Sequence, residues 1–182
     1  MSDLLIRVAG LDLSGTINKP SGLAIVEEFE ILYLDLLISD EDIIRVVKSY
    51  RPMVIAIDSP FSHAEGYREI DLVLKRMGFR VLPPGWRGMK LLVNRCLSIR
   101  RALEEIGITT IETHPNSCLK SSNCYTYEKL FSELNWLNYL GRSRDELDAL
   151  ICALVALFYV RNKAIKVEAS DGTIYLLPKI CF

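Results

Sequence analysis

Short apolar runs separated by polar turns mark the first third of the chain. The segment 54–57 contains almost no polar residue, which is typical of a central strand buried in a sheet. Three earlier runs, at 4–13, 23–27 and 30–37, are joined by turns and predict an antiparallel meander. A helix is predicted over 40–50, because apolar residues recur there at helical spacing until Pro52 stops them.

The rest of the chain alternates helical patterns with β-rich segments. Helices are predicted at 67–77, 89–106, 127–140 and, fully buried, 147–160. The last of these is too short to span a bilayer. A strand is predicted over 109–112, and Asp171-Gly172 marks a terminal hairpin. This order predicts a single domain over residues 1–182 with an α/β mixed sheet: three antiparallel strands, then parallel βα units, flanked by helices, with a C-terminal hairpin.

Composition narrows the classes of protein that fit. Hydrophobic residues make up 50% of the 182 residues and charged residues 25%, as in soluble globular domains. The net charge of −1 excludes a chain that is strongly basic throughout. Nevertheless, nine basic and only two acidic residues lie between Arg68 and Leu103. This basic segment predicts either ordinary solvated helix faces or a flank that binds phosphates.

The five cysteines predict a reducing environment. Their number is odd, and Cys118 and Cys124 are too far apart for a Cys-x-x-Cys metal site. We therefore expect free thiols, a cytoplasmic protein and no association with membranes.

Acidic residues stand at the ends of three predicted strands. Asp12, Asp58 and Glu112 each follow an apolar run, and open α/β sheets place their sites at the carboxyl ends of strands. Asp145 and Asp148 open the last helix and share one of its faces. Carboxylates that converge repel one another unless a cation binds them, and oxygen ligands suit Mg²⁺ or Mn²⁺. The sequence predicts a divalent-metal site for phosphoryl chemistry.

Each acid also has a structural explanation that remains open. Asp12 and Asp58 could begin turns by accepting bonds from nearby backbone N–H groups. Asp145 lies in the first turn of a helix that Ser143-x-x-Glu146 would start as a capping box. Asp148 has no such explanation, because it lies past that turn in an otherwise apolar helix, where an unpaired carboxylate is costly.

Polar residues near these acids are candidates for contacts with a substrate. Ser14 and Thr16 would offer hydroxyl and backbone donors to a phosphate. Arg68 either forms an ion pair with Asp71 or reaches phosphate. Arg87 follows Trp86 in a basic loop, where the indole could stack on a base or pack over the sheet. His114, beside Glu112, could carry a proton, because the pKa of an ordinary histidine lies near neutrality.

Several motifs, in order, resemble the ribonuclease H-like nucleases. Ala56-Ile57-Asp58 and Asp145-Glu146-Leu147-Asp148-Ala149-Leu150 are similar to the fourth strand and last helix of RuvC-type Holliday-junction resolvases, which carry Glu at the place of Asp58. GLDLSGT, AIDSP, Arg68-x-x-Asp71 with MGFRVLPP, IETHP and DELDALICAL are similar to the "domain of unknown function 429" family, over residues 8 to about 178.

These resemblances imply a Mg²⁺- or Mn²⁺-dependent nuclease. Its metal ligands would be Asp12, Asp58, Asp145 and Asp148, with Glu112 as a further catalytic acid that resolvases lack. Lys120 would stand for the lysines that resolvases carry after the fifth strand. Nucleic acid, either DNA or RNA, would be the partner.

Two other functions stay open. Asp12-x-Ser14-Gly15-Thr16 also resembles the phosphate loop of sugar kinases and actin-like ATPases, although such phosphotransferases generally need two copies of the fold. A nucleic-acid-binding or scaffold protein without catalytic activity is the second alternative. The apolar end Ile180-Cys181-Phe182 could be covered by a partner chain, which would make the protein a homodimer.

Overall fold

Seven strands form one mixed sheet in the computed structural model, which describes residues 5–16 and 18–182. The strands are β1 (Arg7–Asp12), β2 (Ser21–Glu27), β3 (Glu30–Leu37), β4 (Val54–Asp58), β5 (Thr109–Thr113), β6 (Ile165–Ala169) and β7 (Gly172–Leu176). Their spatial order is β3-β2-β1-β4-β5-β7-β6. The meander β1 to β3 is antiparallel, and β4 and β5 run parallel to β1, as predicted. The predicted start of the first strand at Leu4, and Ile17 in the following turn, lie outside the described residues.

Helices cover both faces of the sheet. They are α1 (Asp40–Tyr50), α2 (Glu69–Arg76), α3 (Arg87–Glu105), α4 (Pro115–Ser121), α5 (Tyr127–Glu133) and α6 (Arg144–Val160). Alternate residues of β1 point to opposite faces, so Val8 packs in the core that contains α6, whereas Ala9 and Leu11 pack against α1 and α3. None of the described helices is long and apolar enough to cross a membrane.

Helix α6 lies directly on the sheet because two glycines leave room for its backbone. A Cβ atom on Gly10 of β1 would collide with the backbone of Ala149 and Ala153. A Cβ atom on Gly22 of β2 would collide with the backbone of Asp145. Since Gly22 is the register partner of Asp12, the first turn of α6 is seated beside the carboxyl end of β1.

The segment 115–140 differs from the prediction, which placed a single helix over 127–140. Pro115 occupies the first turn of α4, where a missing N–H costs nothing, so this helix begins before the predicted one. Helix α5 ends at Glu133 instead of Leu140, and Asn135 follows with a left-handed φ of 58°. Only a short 3-10 turn, Leu137–Tyr139, continues toward α6.

The C-terminal segment is tied into the fold more closely than predicted. Strand β7 pairs in parallel with β5, so the hairpin extends the main sheet. The prediction of free thiols throughout is wrong, because Cys124 and Cys181, 57 residues apart, form a disulfide. Cys181 and Ile180 are therefore covered by this chain itself, while Phe182 is exposed. The remaining cysteines, Cys96, Cys118 and Cys152, are free and buried.

Candidate active site

Asp12 and Asp58 form the centre of the candidate site. They are register partners at the carboxyl ends of the neighbouring parallel strands β1 and β4. Residues in register on adjacent strands, roughly 4.8 Å apart, point to the same face of the sheet. Both side chains therefore lie on the face that α6 covers, since Val8 and Ala56, an even number of residues before them along the strands, pack in the same core as α6.

The first two turns of α6 bring Asp145 and Asp148 to these strand ends. The predicted capping box is present: the Ser143 hydroxyl accepts a bond from the Glu146 N–H at 3.3 Å, and the Glu146 carboxylate accepts one from the Ser143 N–H at 3.0 Å. Glu146 is thus used to start the helix. Asp145 lies against Gly22, and Asp148 follows one turn later in a buried position.

The four carboxyl groups interact electrostatically. Burial, then the charges of Asp148 and Asp145, raise the pKa of Asp12 from its ordinary 3.8 to about 8. Burial, followed by the charges of Asp12 and Asp148, also raises the pKa of Asp58 well above its ordinary value. The carboxylates of Asp12 and Asp58 make no hydrogen bond or ion pair with any side chain in the described part of the chain. The charge of Arg144 lowers both pKa values, but it does so less than burial and the neighbouring carboxylates raise them, so the negative charge is only partly compensated.

Asp148 has two partners that the sequence did not reveal. The Tyr127 hydroxyl donates a hydrogen bond to it at 2.7 Å, and the Arg144 guanidinium lies 3.5 Å from its other oxygen. Burial raises the pKa of Asp148, while these two partners lower it. The four-residue spacing from Arg144 to Asp148 is a helical ion-pair signal, but nothing local to Tyr127 indicates its contact.

The donor set fits a hard divalent cation, since it consists of carboxylate oxygens. Among residues 5–16 and 18–182, no group of three or more Asp, Glu, His or Cys side chains is placed so that it could hold a metal ion. Asp148 is bound to Tyr127 and Arg144, so its side chain would have to turn from them to join Asp12 and Asp58 around an ion.

Glu112 is placed differently from the predicted catalytic acid. It is the register partner of Ile57, one residue before Asp58, so its side chain points to the opposite face of the sheet. There it accepts two bonds from Arg68, at 2.6 and 2.9 Å, and one from the Phe61 N–H at 2.9 Å. Arg68 also binds Asp71. Because Arg68 is buried between two carboxylates, it is not positioned as the predicted substrate contact.

The predicted phosphate contacts after β1 belong to an internal loop network. Arg95, also buried, donates to the Ser14 carbonyl and hydroxyl and to the Thr16 carbonyl, and it forms an ion pair with Asp40. The Ser14 hydroxyl lies 2.7 Å from the Lys19 carbonyl and 2.9 Å from the Thr16 carbonyl, and its single hydrogen is donated to this pair of acceptors. The side chain of Arg95 thus supports the loop beside Asp12, a role that its position in the basic segment did not indicate.

Other basic residues remain accessible. Arg87, the first residue of α3, and Lys90 are exposed. Lys120 is exposed too, and its ammonium donates to the Gly78 carbonyl at 2.8 Å. These three can still contact a polyanion. Arg68 and Arg95 are buried, so the basic surface open to a polyanion is smaller than the sequence predicted.

Solved structures of Thermus thermophilus RuvC are similar to this chain. RuvC in complex with a Holliday junction substrate aligns with a TM-score of 0.56 and 17% identity over 87% of this chain and 97% of that chain. A second RuvC structure aligns with a TM-score of 0.56 and 16% identity over 87% of this chain and 98% of that chain. This likeness and the sheet order confirm the predicted ribonuclease H-like α/β fold. No family model and no curated protein matches, so the resemblance to the "domain of unknown function 429" family stays a prediction.

Proposed function

We propose that this protein is a Mg²⁺- or Mn²⁺-dependent nuclease that hydrolyses phosphodiester bonds through Asp12, Asp58, Asp148 and Asp145. One observation carries the proposal: Asp12 and Asp58 are register partners at adjacent strand ends, partly buried and without an ion-paired or hydrogen-bonded side chain among the described residues, beneath the start of a helix that adds two more carboxylates. Leaving such charges unpaired is costly for a purely structural role. The fold shared with RuvC supports the proposal, because that enzyme is seen with a branched DNA substrate.

Asp12, Asp58 and Asp148 would hold the metal, and Asp145 would complete the set. A bound Mg²⁺ or Mn²⁺ would activate water for attack on phosphorus and stabilise the leaving oxygen. Tyr127 and Arg144 hold Asp148 before it binds an ion. Arg144, which is exposed, also brings positive charge to the acidic cluster, where a phosphodiester would need it. The exposed Arg87 and Lys90 would bind the nucleic-acid backbone further away.

The phosphotransferase alternative has less support. The Ser14 hydroxyl and the Ser14 and Thr16 carbonyls are occupied by Arg95 and by the loop itself. The Ser14 N–H donates to the Ser21 hydroxyl. A phosphate-binding loop instead presents free donors to its anion. Dimer formation, which no contact in a single chain addresses, stays a prediction.

Cleavage of branched DNA, single-stranded DNA, RNA and RNA–DNA hybrid, with Mg²⁺ or Mn²⁺ and with chelator, tests the proposal. We expect cleavage of at least one substrate only with metal. Asp12→Asn and Asp58→Asn should each lower the rate by more than the roughly 10–100-fold that loss of an outer-shell partner costs, because each removes a proposed ligand.

The matched control is Asp35→Asn, the same change at an exposed acid of strand β3. It should leave the rate unchanged. Salt-sensitive binding without cleavage of any substrate would favour the scaffold alternative. ATP hydrolysis that disappears in Asp12→Asn would favour the phosphotransferase.

A further inference from the structure

A cavity of about 230 Å³ opens beside Asp58, at the carboxyl ends of β4 and β5. Asp58 and Leu13 contribute to its wall, and Leu13 also lines a second depression that contains Asp12 and Asp145. The two hollows therefore flank the proposed metal ligands. The volume is below the roughly 300–1,000 Å³ of pockets for drug-sized ligands, so the cavity suits a small fragment of a larger substrate.

Apolar side chains form much of the cavity wall. Those of Leu74, Val81, Leu82, Met89, Leu92 and Ile174 take part. Two of them, Leu82 and Met89, come before and after Trp86 along the chain. Leu82 is 55% exposed and Trp86 is 58% exposed, so the indole does not pack over the sheet. Apolar surface left open beside a cavity is typical of a binding site.

Carboxylates outnumber cations among the charged groups of the cavity. Arg68, Asp71 and Glu112 satisfy one another through hydrogen bonds of 2.6 to 3.1 Å. Asp58, the other charged residue, belongs to the metal cluster. Three carboxylates thus face one guanidinium in the lining, and this negative balance excludes a phosphate from the interior of the cavity and admits an uncharged group.

Polar atoms remain for hydrogen bonds to a neutral ligand. His114 Nδ1 is bound to the Ser117 hydroxyl at 2.7 Å, which leaves Nε2 without a partner among the described residues. Burial lowers the pKa of His114 to about 4, so the ring is neutral near pH 7. Asn116 adds an exposed amide, whose oxygen accepts a bond from Arg144 at 3.1 Å and whose NH₂ group has no partner among the described residues. A flat group with apolar faces and a polar edge matches this lining, and a nucleobase has both.

We propose that the cavity beside Asp58 receives one unstacked nucleobase of the strand whose phosphate lies at Asp12 and Asp58. The inference rests on the proposed nuclease function and specifies its substrate: a nucleic acid in which the base next to the cleaved bond is free to leave its stack. Single strands and branch points meet this condition at the lowest cost, because their bases are less firmly stacked and paired.

A scan with single abasic sites tests the pocket. Oligonucleotides that lack one base at successive positions are bound to the wild-type protein in chelator, where metal-dependent cleavage does not occur, and Kd is measured by fluorescence anisotropy. We expect one position to weaken binding about 10-fold, within the range for loss of one stacked base. With Mg²⁺ or Mn²⁺, cleavage should fall for the same oligonucleotide.

Leu82→Trp narrows the cavity and should remove the difference between the intact and abasic oligonucleotides. Leu91→Trp is the matched control, because Leu91 is 48% exposed, lies nearby on α3 and does not line the cavity. The Leu91→Trp variant should still bind the abasic oligonucleotide more weakly than the intact one. Equal effects of all abasic positions on the wild type, or an unchanged difference in Leu82→Trp, would overturn the pocket. If metal-dependent cleavage occurs but every abasic position weakens binding equally, the base pocket is refuted and the nuclease function stands. If one abasic position weakens binding but no substrate is cleaved, the nuclease function is refuted and the base pocket stands.

Discussion

Two pairs of carboxylates, one buried and one partly buried, have opposite surroundings in this chain. Asp71 and Glu112 share the guanidinium of Arg68, and the Phe61 N–H adds another donor to Glu112. Asp12 and Asp58 have no such partner within the described residues, and the charges that act on them most strongly are those of other carboxylates, which Arg144 only partly offsets. The first group therefore contributes to the fold by tying the start of α2 to β5. The second is destabilising until it takes up protons or a cation, which is expected of a binding site.

This difference predicts how stability without metal depends on pH. The pKa of Asp12 rises from 3.8 to about 8 on folding, so the folded protein holds a proton that the unfolded chain loses between these values. Stability should therefore fall as pH increases from about 4 to about 8. Because His114, whose pKa is lowered to about 4, acts in the opposite direction below its ordinary 6.5, the informative interval is pH 6.5 to 8.

Thermal unfolding in chelator checks this prediction. The Tm of the wild type should decrease between pH 6.5 and 8, and Asp12→Asn should reduce the decrease. At pH 8 that variant should melt about 2–4 °C above the wild type, the shift for roughly 1 kcal/mol in a chain of this size. The exposed Asp35→Asn should behave like the wild type. A wild-type Tm that does not change over this interval would contradict the raised pKa of Asp12.

For individual residues, the sequence predicts which acids end strands but not which side chains they contact. Acids after apolar runs indicated Asp12 and Asp58 correctly as neighbours, because strand ends in a parallel sheet lie together. The face on which each acid lies depends on register, and a shift of one residue sends Glu112 to the other side. The contacts of Tyr127 with Asp148 and of Arg95 with Ser14 join residues 21 and 81 positions apart, and no local pattern encodes them.

At the scale of elements, the seating of α6 decides whether the four acids meet. The helix is apolar on nearly all sides, so its sequence predicts burial without indicating which strands it contacts. Gly10 and Gly22 fix that choice, because any side chain there would collide with the helix backbone. In the sequence these glycines read only as parts of a strand and a turn. Their role depends on the packing partner.

Substitution of these glycines tests whether the close contact of α6 with the sheet contributes to stability. Gly10→Ala and Gly22→Ala should each lower the free energy of unfolding by about 1–3 kcal/mol, the cost of overpacking a tight contact. Gly22→Ala should also weaken Mn²⁺ binding, because it displaces the turn that carries Asp145. Gly66→Ala is the control, since a Cβ atom there meets no atom within 4 Å. Urea denaturation and metal titration measure both effects, and equal stability of all three variants would contradict the close contact.

For the whole molecule, the order of strands and helices was largely predictable, whereas long-range closures were not. The meander, the parallel units and the hairpin follow from local periodicity and turns, and the sheet order confirms them. The pairing of β7 with β5 and the disulfide between Cys124 and Cys181 join segments far apart in sequence. Cysteine spacing carries information only when the partners belong to a local motif, so the disulfide could not be predicted.

The disulfide between Cys124 and Cys181 should affect the stability of the entire chain. It closes a loop between residues 57 positions apart, which contains α5, α6 and the hairpin, and it holds the end of the chain beside Ser122. Cross-links of this span stabilise by roughly 2–4 kcal/mol, mainly by restricting the unfolded state. Reductant should therefore lower the Tm of the wild type by about 5–15 °C. The double variant Cys124→Ser with Cys181→Ser should start from the lower Tm and show no response to reductant. Because Cys96, Cys118 and Cys152 are buried free thiols, they should contribute nothing to that response, and a double variant that still responded would assign the effect to them instead.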